Sequence, residues 1–152
     1  MQFVQESVLP ASVEEVFAFH ERPDAFALLQ PPWEQVEILT PPSSLEVGTR
    51  VELRTKVGPL WIPIVAEHVA YKQNECFEDV MVKGPFAKWH HKHLFLPHPE
   101  GCLLRDEIEY AAPFGWLGRL MDPIAVRPRL VKLFDFRHEV TLRHVSEAHP
   151  LA

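Results

Sequence analysis

The chain opens on period-two alternation. Phe3, Gln5, Ser7 and Leu9 alternate with Gln2, Val4, Glu6 and Val8, which predicts a strand that stops at Pro10. Val13, Val16, Phe17 and His20 then fall at helical spacing, and Ser12 with Glu15 forms a capping-box pair, so a short helix begins near residue 13. Arg22-Pro23-Asp24 breaks it, and Ala25 to Leu29 makes a second short helical piece before Pro31-Pro32. From Trp33 the period returns to two, predicting strands over 33–39, 50–57, 60–71, 75–82, 88–96 and 103–111. Their joints, among them Gly58-Pro59, Lys72-Gln73-Asn74 and Pro99-Glu100-Gly101, are short enough to be hairpins of an antiparallel meander. After Pro113-Phe114-Gly115 the pattern is helical again. Asp122 can cap with Pro123 at the first helical position, and Val126, Leu130, Leu133, Phe134, Arg137 and Val140 form one stripe of a helix running to about His144. Pro128 should kink that helix or delay its start.

The resulting order is one strand, two short helices, six strands and one long helix. It predicts an α+β architecture in which a seven-stranded antiparallel sheet carries one long C-terminal helix, with two short helices between its first two strands.

Composition adds boundaries to this picture. At 152 residues and 47% hydrophobic, the chain is the size of one domain, expected over 1–146 with a frayed tail over 147–152. The 15 prolines sit at joints between periodic segments and punctuate rather than disorder. Net charge is -6 and the 15 Lys and Arg are scattered, so no basic stripe suits nucleic acid. The N-terminus lacks an export signal, and no stretch reaches the ~18 apolar residues of a membrane span, so a cytoplasmic location is expected. Cys76 and Cys102 lack CxxC spacing and suit a reducing compartment as small buried hydrophobes.

Four segments carry a resemblance: Leu29-Gln30-Pro31-Pro32-Trp33-Glu34; Gly84-Pro85-Phe86 with Trp89, His91 and His93; Asp106-Glu107-Ile108-Glu109-Tyr110; and Pro113-Phe114-Gly115 through Arg137-His138. With the element order, they resemble a bacterial cyclase/dehydrase-like branch of the helix-grip superfamily, which also includes birch-pollen-allergen-like and START-like proteins. The resemblance implies a place, the cavity between sheet and long helix. The fold it implies is helix-grip, a curved sheet closed on the long helix around that apolar cavity, and the superfamily has no universal catalytic residues to transfer.

Strand parity indicates what lines that cavity. In 88–96, Lys88, His90 and Lys92 want water, so Trp89, His91, His93 and Phe95 should point inward. The same test turns Ile62, Ile64, Ala66 and His68 inward opposite Glu67, and Leu104, Asp106, Ile108 and Tyr110 inward opposite Arg105, Glu107 and Glu109. Phe77, Asp79 and Met81 are assigned inward on the intervening strand, with Leu130 and Phe134 facing them from the helix. Trp33, Trp61 and Trp89 can stack a planar ligand or simply fill core.

Five polar groups therefore face an apolar interior: His68, Asp79, His91, His93 and Asp106. Buried carboxylates and imidazoles should seek each other, and Asp106 with His91 or His93 is the expected pair. Three readings stay open: a structural network, a pocket offering polar recognition or acid/base groups through His91, His93 and Asp106, and a metal site of His91 and His93 with His68 or Asp106. His90 and His98 read as solvated, and His138, His144 and His149 as helix-end histidines favoured by the helix dipole. The 113–117 turn reads as a mobile lid or a tight corner. The leading expectation is a protein that binds a hydrophobic, lipid-like or aromatic polyketide-like molecule in a cavity of roughly a few hundred Å³. Metal and cofactor are expected to be absent, and homodimers are compatible with the sequence. The rivals are a cyclase, dehydratase or isomerase with a cavity histidine as base, and a ligand-free interaction module.

Overall fold

The alternation at the N-terminus does form a strand in the computed structural model, which describes residues 1–148. In chain order the elements are β1 (Gln2–Leu9), α1 (Val13–Glu21), α2 (Ala25–Leu28), β2 (Val36–Thr40), β3 (Arg50–Val57), β4 (Leu60–Lys72), β5 (Cys76–Lys83), β6 (Lys88–His98), β7 (Gly101–Ala111), α3 (Trp116–Met121), a π-helical turn (Asp122–Val126) and α4 (Arg127–Glu147). The seven strands form one antiparallel sheet in the order β1-β7-β6-β5-β4-β3-β2, so only the β1–β7 pairing joins distant parts of the chain. The sheet curves around α4, which packs on β1 and α1. No described helix is long and apolar enough to cross a membrane.

Local chemistry sets these boundaries. The Glu15 amide donates to Ser12 Oγ at 3.2 Å and the Ser12 amide donates to Glu15 Oε2 at 2.9 Å, starting α1 with a closed capping box. Gly101 turns the β6–β7 hairpin at φ 139°, and a Cβ there would lie 2.2 Å from the Leu9 carbonyl oxygen, so no larger residue fits without a shift.

Two boundaries differ from expectation. The second strand begins at Val36 rather than Trp33, because the Glu34 amide donates to the Pro31 carbonyl at 3.2 Å and closes a turn that holds Trp33 out of the sheet. The C-terminal helical stretch begins at Trp116 rather than Asp122 and passes Pro123 through the π turn. A proline lacks the amide that a continuing α-helix needs, and the wider turn accommodates it, while Pro128 falls in the first turn of α4 where no amide is missed. Asp122 caps nothing. Its carboxylate is buried and accepts from the Tyr110 hydroxyl at 2.5 Å. The helix ends at Glu147, and from residue 149 onward, His149 included, the tail lies outside the described residues.

The apolar core is in two clusters. One joins Phe17, Phe77, Phe95, Leu104, Val140 and Val145 beneath α1, and the other joins Phe3, Ile108, Tyr110, Leu130 and Phe134 nearer α3. Along β6, β7 and α4 alike, the residues between the clusters are polar: His91 and His93, Asp106, and His138. A polar layer thus divides the core.

Candidate functional site: a histidine–carboxylate layer beside a small cavity

Parity places the layer. On β7 every second residue from Cys102 to Tyr110 is buried, so Asp106 points inward between Leu104 and Ile108. His93 pairs with Asp106 across β6–β7, Asp79 with His91 across β5–β6, and His68 with Asp79 across β4–β5, so four adjacent strands bring their polar residues together. From the opposite side α4 contributes His138, four residues beyond Phe134 on the same face.

Asp106 is the hub. Its Oδ1 lies 2.7 Å from His91 Nε2 and 3.1 Å from His93 Nδ1, and its Oδ2 lies 2.6 Å from His138 Nε2. His93 Nε2 is 3.0 Å from Asp79 Oδ2, so both nitrogens of that ring face carboxylates and both donate. His93 is therefore an imidazolium. Burial opposes its charge, but the hydrogen bonds to Asp106 and Asp79 more than offset this and raise its pKa to about 9. Its ring lies 3.9 Å from that of Phe77 and 3.6 Å from that of His91.

The other members follow from the same balance. Burial would push the Asp106 carboxyl up, but three imidazole donors hold it well below the usual carboxylate range. Asp79 is lowered too, burial being outweighed by the hydrogen bond from His93 and the charge on that ring. Burial and the neighbouring His93 charge lower His91, keeping it a neutral ring that donates through Nε2. His138 donates to Asp106 through Nε2, leaving Nδ1, 2.7 Å away, to accept from the Ser7 hydroxyl. His68 is 6% exposed and lowered by burial, and its Nδ1 has no hydrogen-bond partner among the described residues.

A cavity of about 30 Å³ adjoins the layer, lined by His20, Leu29, His93, Leu104, Asp106, Phe134, Arg137, His138 and Thr141. That is room for about two waters, far below the few hundred Å³ expected, because Phe17, Phe95, Phe134, Tyr110, Leu104 and Ile108 fill the interior. His20 donates from Nδ1 to the Val16 carbonyl at 2.8 Å, and burial lowers its pKa to about 4, so it meets the cavity as a neutral ring. The Arg137 guanidinium donates from Nε to the Leu29 carbonyl at 3.3 Å and makes no other hydrogen bond among the described residues. It lies 5.2 Å over the Phe134 ring.

Of the residues singled out from sequence, His93, Leu104, Asp106 and Phe134 reach the cavity. His68, Phe77, His91, Phe95, Ile108, Tyr110 and Leu130 are buried around it, while Asp79, Met81, Trp89 and Ile64 are half-buried. Trp33 is 44% exposed, its ring 5.2 Å from that of the half-buried Phe136 of α4 and away from the polar layer. Sequence reasoning missed Ser7, His20, Arg137 and Thr141 as site residues, and read His138 as a helix-end histidine favoured by the helix dipole, whereas it is 4% exposed at the centre of the layer. The signal was there: Leu130, Phe134 and His138 recur every four residues, and Ser7 shares parity with the inward Phe3 and Leu9. His90, expected to be solvated, is half-buried with Nε2 2.6 Å from Glu78 Oε2. Both cysteines are free thiols.

Asp79, His91 and His93 bring donor atoms within 4.8 Å of one another, the group best placed to hold a divalent ion. Such an ion would displace the His93 proton that Asp79 now accepts, while Asp106 would keep the far nitrogens of both rings.

The architecture recurs in solved structures. Protein CV1439 from Chromobacterium violaceum aligns with a TM-score of 0.70 at 15% identity, over 95% of this chain and 96% of its own. Ara h 8.0201 aligns at 0.71 and 14% identity, over 97% and 98%. Norcoclaurine synthase from Thalictrum flavum aligns at 0.67 and 15%, over 95% and 87%. These likenesses show the helix-grip fold. No curated protein matches the sequence significantly. A family model does match, over residues 9–131, which takes in β2 through β7, the whole polar layer except Ser7 and His138, and the start of α4: the chain belongs to the polyketide cyclase / dehydrase and lipid transport family.

Proposed function

We propose that this protein binds a hydrophobic small molecule between the sheet and α4, with an anionic or strongly polar oxygen of the ligand directed at Arg137. One observation carries this reading: a half-buried guanidinium with a single backbone hydrogen bond lines the cavity beside His93 and His138. A buried cation without a full set of acceptors is costly, and a ligand oxygen would supply them. The family description, which includes lipid transport, and the norcoclaurine synthase complex with dopamine and hydroxybenzaldehyde support a hydrophobic or aromatic ligand. Binding requires Leu29, Leu104 and Phe134 to part, since the closed cavity holds only about 30 Å³. The test is fluorescence titration with anilinonaphthalene sulfonate, followed by displacement with aromatic and fatty carboxylates and their amides. Arg137→Gln should weaken the carboxylates by about tenfold and spare the amides. Equal losses for both, or no saturable binding by the natural protein, would defeat the reading.

A second reading, proton transfer on the bound molecule, rests on two histidines of the same cavity held in opposite states: His20 lowered to about 4 and His93 raised to about 9. Such a pair supplies a neutral base and a protonated acid. Proton NMR of a bound carbonyl compound in deuterated water should show exchange at its acidic carbon that His20→Asn abolishes. Exchange unchanged by that substitution would remove His20 as the base.

A further inference from the structure

The end of the molecule that carries α3 is covered with side chains that water should reject. Phe114 is 82% exposed, Trp116 69%, Leu117 51%, Leu120 61%, Met121 50% and Ile124 73%. Scattered apolar residues on a surface need no explanation, but six within eleven positions form a patch that does. The sheet register shows what else lies at this end. Lys88 pairs with Ala111, Val65 with Lys83 and Val57 with Leu60, so the β3–β4 hairpin tip, the β5–β6 loop and the β7–α3 corner all lie at this end. The hairpin tip adds Leu60, 66% exposed, and Trp61.

Charge indicates what covers this patch. The protein carries net charge -6, yet Arg54, Lys56, Lys83, Lys88, Arg119, Arg127, Arg129 and Lys132 collect at this end. Arg54, Lys88 and Arg129 pair with Glu37, Glu109 and Glu34, and Asp122, the remaining carboxylate of the helical stretch here, is buried on Tyr110. Lys56, Lys83, Arg119, Arg127 and Lys132 have no ion-pair partner among the described residues. Glu14, Glu21, Glu46, Glu75 and Glu100 lie at the opposite end, around α1 and the turns there. An apolar tip of Phe, Trp, Leu, Met and Ile inside a cationic collar has the composition of a segment that lies in the headgroup region of an anionic bilayer. The spacing agrees, because Trp116, Leu117, Leu120, Met121 and Ile124 share one helical face, with Arg119 and Arg127 beside it.

We infer that the α3 end docks on anionic lipid surfaces, inserting Phe114, Trp116, Leu120 and Ile124 among the headgroups. The inference goes beyond the ligand reading and does not require it. The full chain would be floated with phosphatidylcholine vesicles with and without phosphatidylglycerol, at low and high salt. It should float with the phosphatidylglycerol vesicles at low salt and bind about tenfold more weakly to phosphatidylcholine alone or in high salt. The paired substitution Leu120→Glu with Ile124→Glu should weaken flotation by about tenfold or more, with circular dichroism and Tm unchanged because both side chains are exposed. A wild-type chain that stays with the aqueous phase, or a variant that floats as well as wild type, overturns the proposal. So does a wild-type dimer in sedimentation velocity that the variant converts to monomer, which would give this face to a second copy of the chain.

Discussion

The polar layer around Asp106 and the apolar end around α3 invert the usual partition of side chains in opposite ways. In the layer, charge sits where water is excluded, and nearly every donor and acceptor has a partner; His68 Nδ1 is an exception. At the α3 end, large apolar groups sit where water is plentiful, and Phe114 adds a backbone at φ 70°, a region that non-glycine residues rarely adopt. The first arrangement is closed and should be intolerant of change. The second is open and should be indifferent to change in every measurement made without a partner.

The contrast can be broken with substitutions. The largest effect should come from Asp106→Asn, which leaves the His93 imidazolium with one carboxylate and puts an amide donor against a ring N–H. Removing one member of a buried charged network costs about 3–5 kcal/mol, measurable as a lower urea midpoint at constant m. A loss under about 1 kcal/mol would mean that the layer is not structural.

Acid should come next. His20 has a folded pKa of about 4 against 6.5 when unfolded, so the unfolded chain binds the extra proton first. The stability tied to its neutral form is complete above pH 6.5 and is lost as pH falls towards 4, by about 3 kcal/mol at most. His93 has the opposite sign: raised to about 9, it contributes stability that is complete below 6.5 and lost as pH rises through 9. Urea unfolding across pH should therefore show two limbs, with His20→Asn reducing the acid one, to which the lowered His68 and His91 also contribute, and His93→Asn flattening the alkaline one. A flat profile would contradict both assignments.

Ser7→Ala removes one hydrogen bond at the rim of the layer, to His138 Nδ1, and should cost about 1 kcal/mol in the same assay. Ile124→Glu should be the mildest, within about 0.5 kcal/mol, because its side chain is already 73% exposed. A larger loss would show that the α3 end packs against something in the free protein.

The fold and most of the layer were legible because the signal was binary. In β6 and β7 lysines, arginines and glutamates mark one face, so the inward set of His91, His93, Phe95, Asp106 and Tyr110 follows from alternation alone. His138 was misread because its place in the C-terminal part of the helix suggested an imidazolium favoured by the helix dipole; its four-residue step from Phe134 marks it as inward. The α3 start was obscured by Asp122-Pro123, which satisfies the rules for a helix start yet sits inside a π turn. Cavity volume was never legible, because it depends on sheet curvature and on how Phe17, Phe95 and Phe134 fill the space, and neither has a sequence period.

Asp106 also acts as a fastener. Through His91, His93 and His138, and from His138 to Ser7, its two oxygens tie β6, β7, α4 and β1 together, and the last of these bonds joins residues 131 apart in sequence. A disulfide over that span would need an oxidant to make and a reductant to undo. This clasp needs neither, because its bonds turn only on where protons sit, and it lies between the two apolar clusters of the core.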